Sequence, residues 1–348
     1  MTMSTGLLAY SGIITKTKAM SATLLTEQDY NKIVSCSSVS EVIAFLKEHR
    51  GYRSLFKDMD MGVHRGEIEH ELIHALEMMY TKIYRFSPAK KRKAVQIFFC
   101  RFEVLVIRLC LRRIIKEEQV IDLSFFEEFF QKHSKLNLEK MMNQQTIEGF
   151  VESLKGTDYY QVLKEVEYIE KPTLFDYQTR LDVYYYERIW KMKDTCMSKK
   201  ERSAYTDIVG RNIDILNVMW IYRFKTYFNT DNGKIMRSII PIHYKLTKKM
   251  IAKMVAAESV AELNEIVVKS PYRKLFREEI TCEEIEAAYQ KYLYKVYQTQ
   301  ARQNPMSIIP VEYFLYLKER EIDKLTTALE CVRYHLPAEK SLAILAKL

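Results

Sequence analysis

An all-α fold is predicted by three observations: scarce chain breakers, abundant helix formers, and apolar residues that recur at helical spacing in three copies. Only 9 glycines and 7 prolines occur in 348 residues, against usual frequencies of about 7% and 5%. Leu, Glu, Lys, Met and Tyr fill the space between them, a mixture that favours long helices joined by short links. A hydrophobic content of 48% supplies a packed core, and a disordered chain is excluded on that ground.

The copies can be followed in chain order. An opening module runs through Leu25-Thr26, Ile33-Val34, Ser38-Val39 and Glu41 to Gly51-Tyr52-Arg53-Ser54-Leu55-Phe56. It recurs as Leu246-Thr247, Met254-Val255, Ser259-Val260 and Glu262, ending in Pro271-Tyr272-Arg273-Lys274-Leu275-Phe276. A weaker middle copy shows Ile147, Val151, Leu154 and Gly156-Thr157-Asp158-Tyr159-Tyr160, then Val162-Leu163. Each module precedes a long helical pattern with a basic-aliphatic-aromatic signature: Lys82-Ile83-Tyr84, Arg188-Ile189-Trp190 and Lys295-Val296-Tyr297.

A second long helix follows, with an acid at one equivalent place: Glu103, Asp214 and Glu321. Behind the acids runs an apolar stripe at i, i+3 and i+7, reading Val104/Ile107/Leu111, Ile215/Val218/Tyr222 and Ile322/Leu325/Leu329. That spacing marks one buried helix face per copy. Arg112 and Arg223 also coincide, with Glu330 at the third position. Polar groups shared by all copies are expected to pair within the chain, with partner contact as the alternative. Tyr184-Tyr185-Tyr186 spread around their helix and suit packing between subdomains.

The repeats are too long for the common helical solenoid units of about 33–47 residues. Three subdomains, at 1–122, 123–236 and 237–348, are expected around a pseudo-three-fold axis with a central opening. Links fall near Lys116–Ser124 and Thr230–Ile242, the second carrying Asp231-Asn232-Gly233 and Pro241, which is turn chemistry. With symmetry supplied internally, the isolated chain is expected to be a monomer.

The net charge is +9, from 54 basic and 45 acidic residues. Its densest run is Lys90-Lys91-Arg92-Lys93, directly after Ser87-Pro88. A solvated loop, an acidic partner or anionic headgroups would each suit it. No nucleic-acid-binding signature accompanies the charge. The most apolar stretch, Val95 to Leu111, is interrupted by Gln96, Arg101, Glu103 and Arg108, so no spanning helix is expected. The amino-terminal residues lack a secretory pattern. Six scattered cysteines without a Cys-x-x-Cys pair read as reduced thiols.

Against this background Thr17-Lys18-Ala19-Met20, with Leu24-Leu25-Thr26, resembles the start of the C subunit of V-type ATPases, the d subunit in eukaryotes. Asp214-x-x-Asn217 with Arg223, and Tyr316-Leu317-Lys318-x-x-Glu321-Ile322, are similar to that family too. The first copy departs from the acid-x-x-Asn form with Val106, and the third with Lys324. The resemblance spans about Lys16 to Leu345. It implies a funnel of three helical subdomains on the cytoplasmic face of the membrane, linking the central-stalk subunits D and F to the membrane rotor ring. The implied role is non-catalytic transmission of torque for sodium or proton transport. No nucleotide-binding loop is present, and no cofactor is expected. On this reading the candidate interface residues are Lys90, Lys91, Arg92, Lys93, Glu103, Arg112, Asp214, Arg223 and Glu321.

One motif argues for an enzyme. His70-Glu71-Leu72-Ile73-His74 places two imidazoles one helical turn apart with a carboxylate between, the pattern of a zinc hydrolase. A third ligand has no motif downstream. The equivalent positions in the other copies are Asp176/Arg180 and Glu283/Ala287, so the identity changes from copy to copy as on a surface face. No strand pattern offers a substrate edge. The zinc hydrolase and a generic helical scaffold are the two alternatives.

Overall fold

A computed structural model describes residues 4–60, 62, 65–117, 122–228, 230–276 and 281–348, and these contain helices and turns with no β-strand. The side chains of Lys90 and Glu283, residue His64 and the centre of the first link lie outside the described residues. The all-α expectation holds.

Chain order follows the copies. The helix α1 (Ser4–Ser21) leads into the short helices α2 (Glu27–Val34), α3 (Val39–Glu48) and α4 (Arg53–Phe56). The long α5 (Arg65–Phe86), short α6 (Arg92–Gln96) and α7 (Cys100–Lys116) complete the first copy. The second contains α8 (Glu127–His133), α9 (Leu138–Met142), α10 (Ile147–Ser153) and α11 (Asp158–Lys164). Its long pair is α12 (Leu174–Cys196) and α13 (Lys199–Arg223), and α13 runs on into a π-helical turn, Phe224–Phe228. After α14 (Asn232–Ser238) come α15 (Lys248–Ala256), α16 (Val260–Val268), α17 (Cys282–Gln303), α18 (Ile309–Arg333) and α19 (Ala338–Lys347).

Local chemistry sets the starts of the short helices, and sets them alike in the first and third copies. Thr26 and Ser38 cap α2 and α3 by accepting from the backbone N–H of Asp29 and Glu41. Thr247 and Ser259 do the same for α15 and α16, with Met250 and Glu262. Each cap satisfies an N–H that the helix itself leaves orphaned and contributes about 1 kcal/mol.

The chain forms two compact units. One contains Met1–Val95, Ile121–Phe125 and Ala301–Leu348; the other contains Gln96–Val120 and Phe126–Gln300. In the first, Ile33, Val42, Ile43, Leu46, Tyr52 and Phe56 of the opening module pack with Leu325, Leu329 and Val332 of α18 and Leu345 of α19. The second has an aromatic core in which Phe102 meets Phe126 at 5.5 Å and Phe99 meets Phe129 at 4.8 Å. The helical stripes are buried as their spacing predicts, Ile322 alone being only partly covered. Burial pushes the Cys110 thiol up to about 11 and the Cys100 thiol up to about 12, so both are inert at neutral pH.

Buried carboxylates and candidate interface residues

Each of the three equivalent acids stands on a long helix and is buried: Glu103 on α7, Asp214 on α13 and Glu321 on α18. A carboxylate taken from water costs several kcal/mol unless donors surround it, and here each receives a tyrosine hydroxyl. The Tyr159 hydroxyl donates to Glu103 at 2.9 Å, that of Tyr272 to Asp214 at 2.8 Å, and that of Tyr52 to Glu321 at 2.7 Å. Those tyrosines occupy one equivalent place in the opening modules. In every case the module belongs to the next copy, and the acid of the last copy takes the tyrosine of the first.

The same carboxylates hold the start of the module they grip. The Leu246 N–H donates to Asp214 at 3.1 Å, and the equivalent Leu25 N–H donates to Glu321. In the middle copy a serine intervenes. The Leu136 N–H donates to Ser134 Oγ, whose hydroxyl donates to Glu103 at 2.6 Å. One carboxylate thus ties both ends of a module to a long helix.

Counter-charges differ among the three. Arg188, from the basic signature of α12, donates to Glu103 at 2.6 Å and lies over the Tyr159 ring. Lys318 donates to Glu321 at 2.6 Å and sits 4.1 Å above the Tyr52 ring. Asp214 has no ion pair among the described residues; the backbone N–H groups of Tyr244, Lys245 and Leu246 surround it instead. Burial raises its carboxyl above the ordinary range, opposed by these donors and by Tyr272. Burial lowers the Lys318 ammonium, with Glu321 opposing it. The phenols of Tyr52 and Tyr159 are pushed well up by burial and by the neighbouring carboxylate.

Asn217, one turn beyond Asp214, exchanges two hydrogen bonds with the backbone of Ile240, at 2.8 and 2.9 Å. It pins the second link to α13. Of the tyrosine run, Tyr184 stays beside its own copy's module, edge-on to Tyr159 at 5.1 Å, with its hydroxyl on Asp158.

The remaining sequence candidates lie outward. Arg92 and Lys93 are exposed and Lys91 is half-buried. Lys91 and Arg92 sit over aromatic rings, Tyr10 at 4.5 Å and Tyr84 at 5.2 Å. Arg223 reaches Glu286 at 2.7 Å with both side chains well exposed, and Arg112 is half-buried.

Sequence reasoning missed an aromatic surface on the second unit. Phe175, at the start of α12, stacks on Phe228 of the π-helical turn at 6.1 Å and meets Phe224 edge-on at 5.7 Å. Phe175, Tyr227 and Phe228 remain 44%, 63% and 63% exposed, which is unusual for rings that could pack inward. The available signal was Phe224-x-x-Tyr227-Phe228, apolar positions one turn apart beyond the last residue of the stripe.

The His-Glu-x-x-His segment lies on α5. Both imidazoles turn Nδ1 towards Glu71, at 3.2 Å from His70 and 3.4 Å from His74. Their rings close on Phe125, at 4.8 and 5.0 Å, so a phenyl ring occupies the space that they share. Among the described residues no group of three His, Cys, Asp or Glu could hold a metal ion. None of their helices is long and apolar enough to cross a membrane.

The acids that all three copies share serve internal joints. The structure is that of a repeat-built, all-helical protein. The chain belongs to the ATP synthase (C/AC39) subunit family, whose profile matches residues 13–343. It is similar to the C subunit of the A-type ATP synthase of Archaeoglobus fulgidus, 24% identical over 340 residues, covering 95% of this chain and 94% of that one. Its counterpart in Methanosarcina acetivorans is 21% identical over 322 residues, covering 91% and 87%. That of Thermococcus kodakarensis is 24% identical over 327 residues, covering 93% and 86%.

Proposed function

We propose that this chain is a non-catalytic rotor adaptor of a V-type or A-type ATPase. It sits on the cytoplasmic face of the membrane and joins central-stalk subunits D and F to the membrane ring. The observation that carries the reading, beyond family membership, is the cyclic order of the carboxylate–tyrosine joints. Each copy is fastened to the next and the last to the first, a scheme suited to three subdomains around a central opening that receives a shaft. A part that transmits torque must resist shear between its subdomains, and buried charge-assisted hydrogen bonds are directional enough to do so. The exposed aromatic surface at Phe175 and Phe228 is the candidate region for contact with these partners.

The test compares the purified membrane complex with and without this chain, reading ATP hydrolysis and ion uptake into vesicles together. Hydrolysis is expected to persist while uptake per ATP collapses, and adding the chain back should restore it. Normal coupling in the chain's absence would rule the role out.

A further inference from the structure

The amino-terminal 26 residues contain no Asp or Glu, and neither do residues 78–95, which carry Lys82, Arg85 and the run Lys90–Lys93. These two acid-free segments meet, because α1 packs along α5. Aromatic rings tie them together: Lys16 of α1 lies 4.8 Å over Phe86, and Lys91 lies 4.5 Å over Tyr10 of α1. A ring holds an ammonium without neutralising it, so these cations keep their charge for an outside partner. The neighbouring acids on α18 are engaged inward, Glu319 accepting from Tyr80 and Glu312 being buried. Lys18 and Lys93 are exposed, and their side chains have no hydrogen bond or ion pair among the described residues. Phe86, at the last residue of α5, is 53% exposed among the cations.

We propose that this face of the first unit docks on anionic lipid headgroups. Consecutive Lys and Arg on a short turn present point charges in several directions, and an exposed phenyl ring accompanies them. That combination fits a sheet of phosphates over an apolar layer, where basic residues draw the chain down and an aromatic ring settles at the boundary. Most of these cations are lysines, whose ammonium groups act as point charges and suit a diffuse layer of phosphates better than directional pairing with carboxylates. The inference takes from the proposed function only the presence of a membrane beside the chain.

Co-sedimentation of the full chain with phosphatidylcholine vesicles, with and without phosphatidylglycerol, tests it. Binding is expected only with the anionic lipid and is expected to weaken as salt rises. Each basic residue at such a surface is worth about a fivefold factor in partitioning, so K91A/R92A/K93A should lose about a hundredfold. Lys91 and Arg92 also contact rings, so K18E/K93E, at two exposed lysines, provides a variant whose loss cannot come from misfolding. F86S should weaken binding further, while K248A/K249A/K253A, an equal charge loss elsewhere, should not. Absence of binding to anionic vesicles would overturn the proposal, as would equal loss in the control or preference for an acidic polypeptide over the vesicles. Such a failure leaves the coupling assay untouched, so the two readings fall separately.

Discussion

Glu321, Lys318 and Tyr52 form a closed triangle in which every polar atom pair is within 3.0 Å. Removing the charge and removing the hydroxyl should have different consequences. In E321Q the Lys318 ammonium stays buried without a counter-charge, and breaking a buried pair in this way costs about 3–5 kcal/mol. In Y52F the ion pair survives with one donor fewer, at about 1–3 kcal/mol. Equilibrium urea unfolding of the two variants should rank them in that order. If Y52F were the more damaging, the hydrogen bonds of the Tyr52 hydroxyl to Glu321 and Lys318, rather than the charge pair, would hold the module.

At the scale of the element, much was legible beforehand. The capping residues Thr26, Ser38, Thr247 and Ser259 stand where the apolar patterns begin, and the stripes behind the acids are buried as their period requires. The partner of each acid was not legible. Aligning copies by spacing shows that Glu103, Asp214 and Glu321 are equivalent, but pairing is decided in space, and spacing does not say which copy supplies the tyrosine. Nor does it reveal Phe125 against His70 and His74, contacts made across 55 and 51 residues of sequence. Gly210 belongs to the same class. It looks like a flaw in the middle of α13, yet a Cβ there would lie 2.4 Å from Cγ of Tyr244, whose hydroxyl donates to Asp207. G210A should therefore destabilise by about 1–3 kcal/mol through overpacking, although alanine is the better helix former by about 1 kcal/mol. A raised melting temperature would mean that the Tyr244 ring yields easily.

At the scale of the whole molecule, the two compact units do not follow chain order, since one gathers residues from both ends of the described chain. The opening module α2–α4 is covered by α18 and α19, with Leu345 and Leu342 in the same cluster as Ile33 and Val42. Truncation after Pro337 should uncover that cluster. Amide exchange in α2 and α3 should accelerate, while α15 and α16, in the other unit, keep their protection. Unchanged exchange in α2 and α3 would show that α18 alone suffices to cover them.

The grip of Glu321 on Leu25 and Tyr52 has a further consequence during synthesis. The Leu25 N–H is made 296 residues ahead of its carboxylate, and the Tyr52 hydroxyl 269 residues ahead. At about 5–20 residues per second, tens of seconds separate them. Through that interval the apolar faces of α2 and α3 have no cover from α18, so a nascent chain presents them to chaperones until the last long helix has left the ribosome. The second unit, whose last residue is Gln300, can close earlier. Of the three tyrosines Tyr52 alone waits for its carboxylate, since Glu103 and Asp214 are made before Tyr159 and Tyr272.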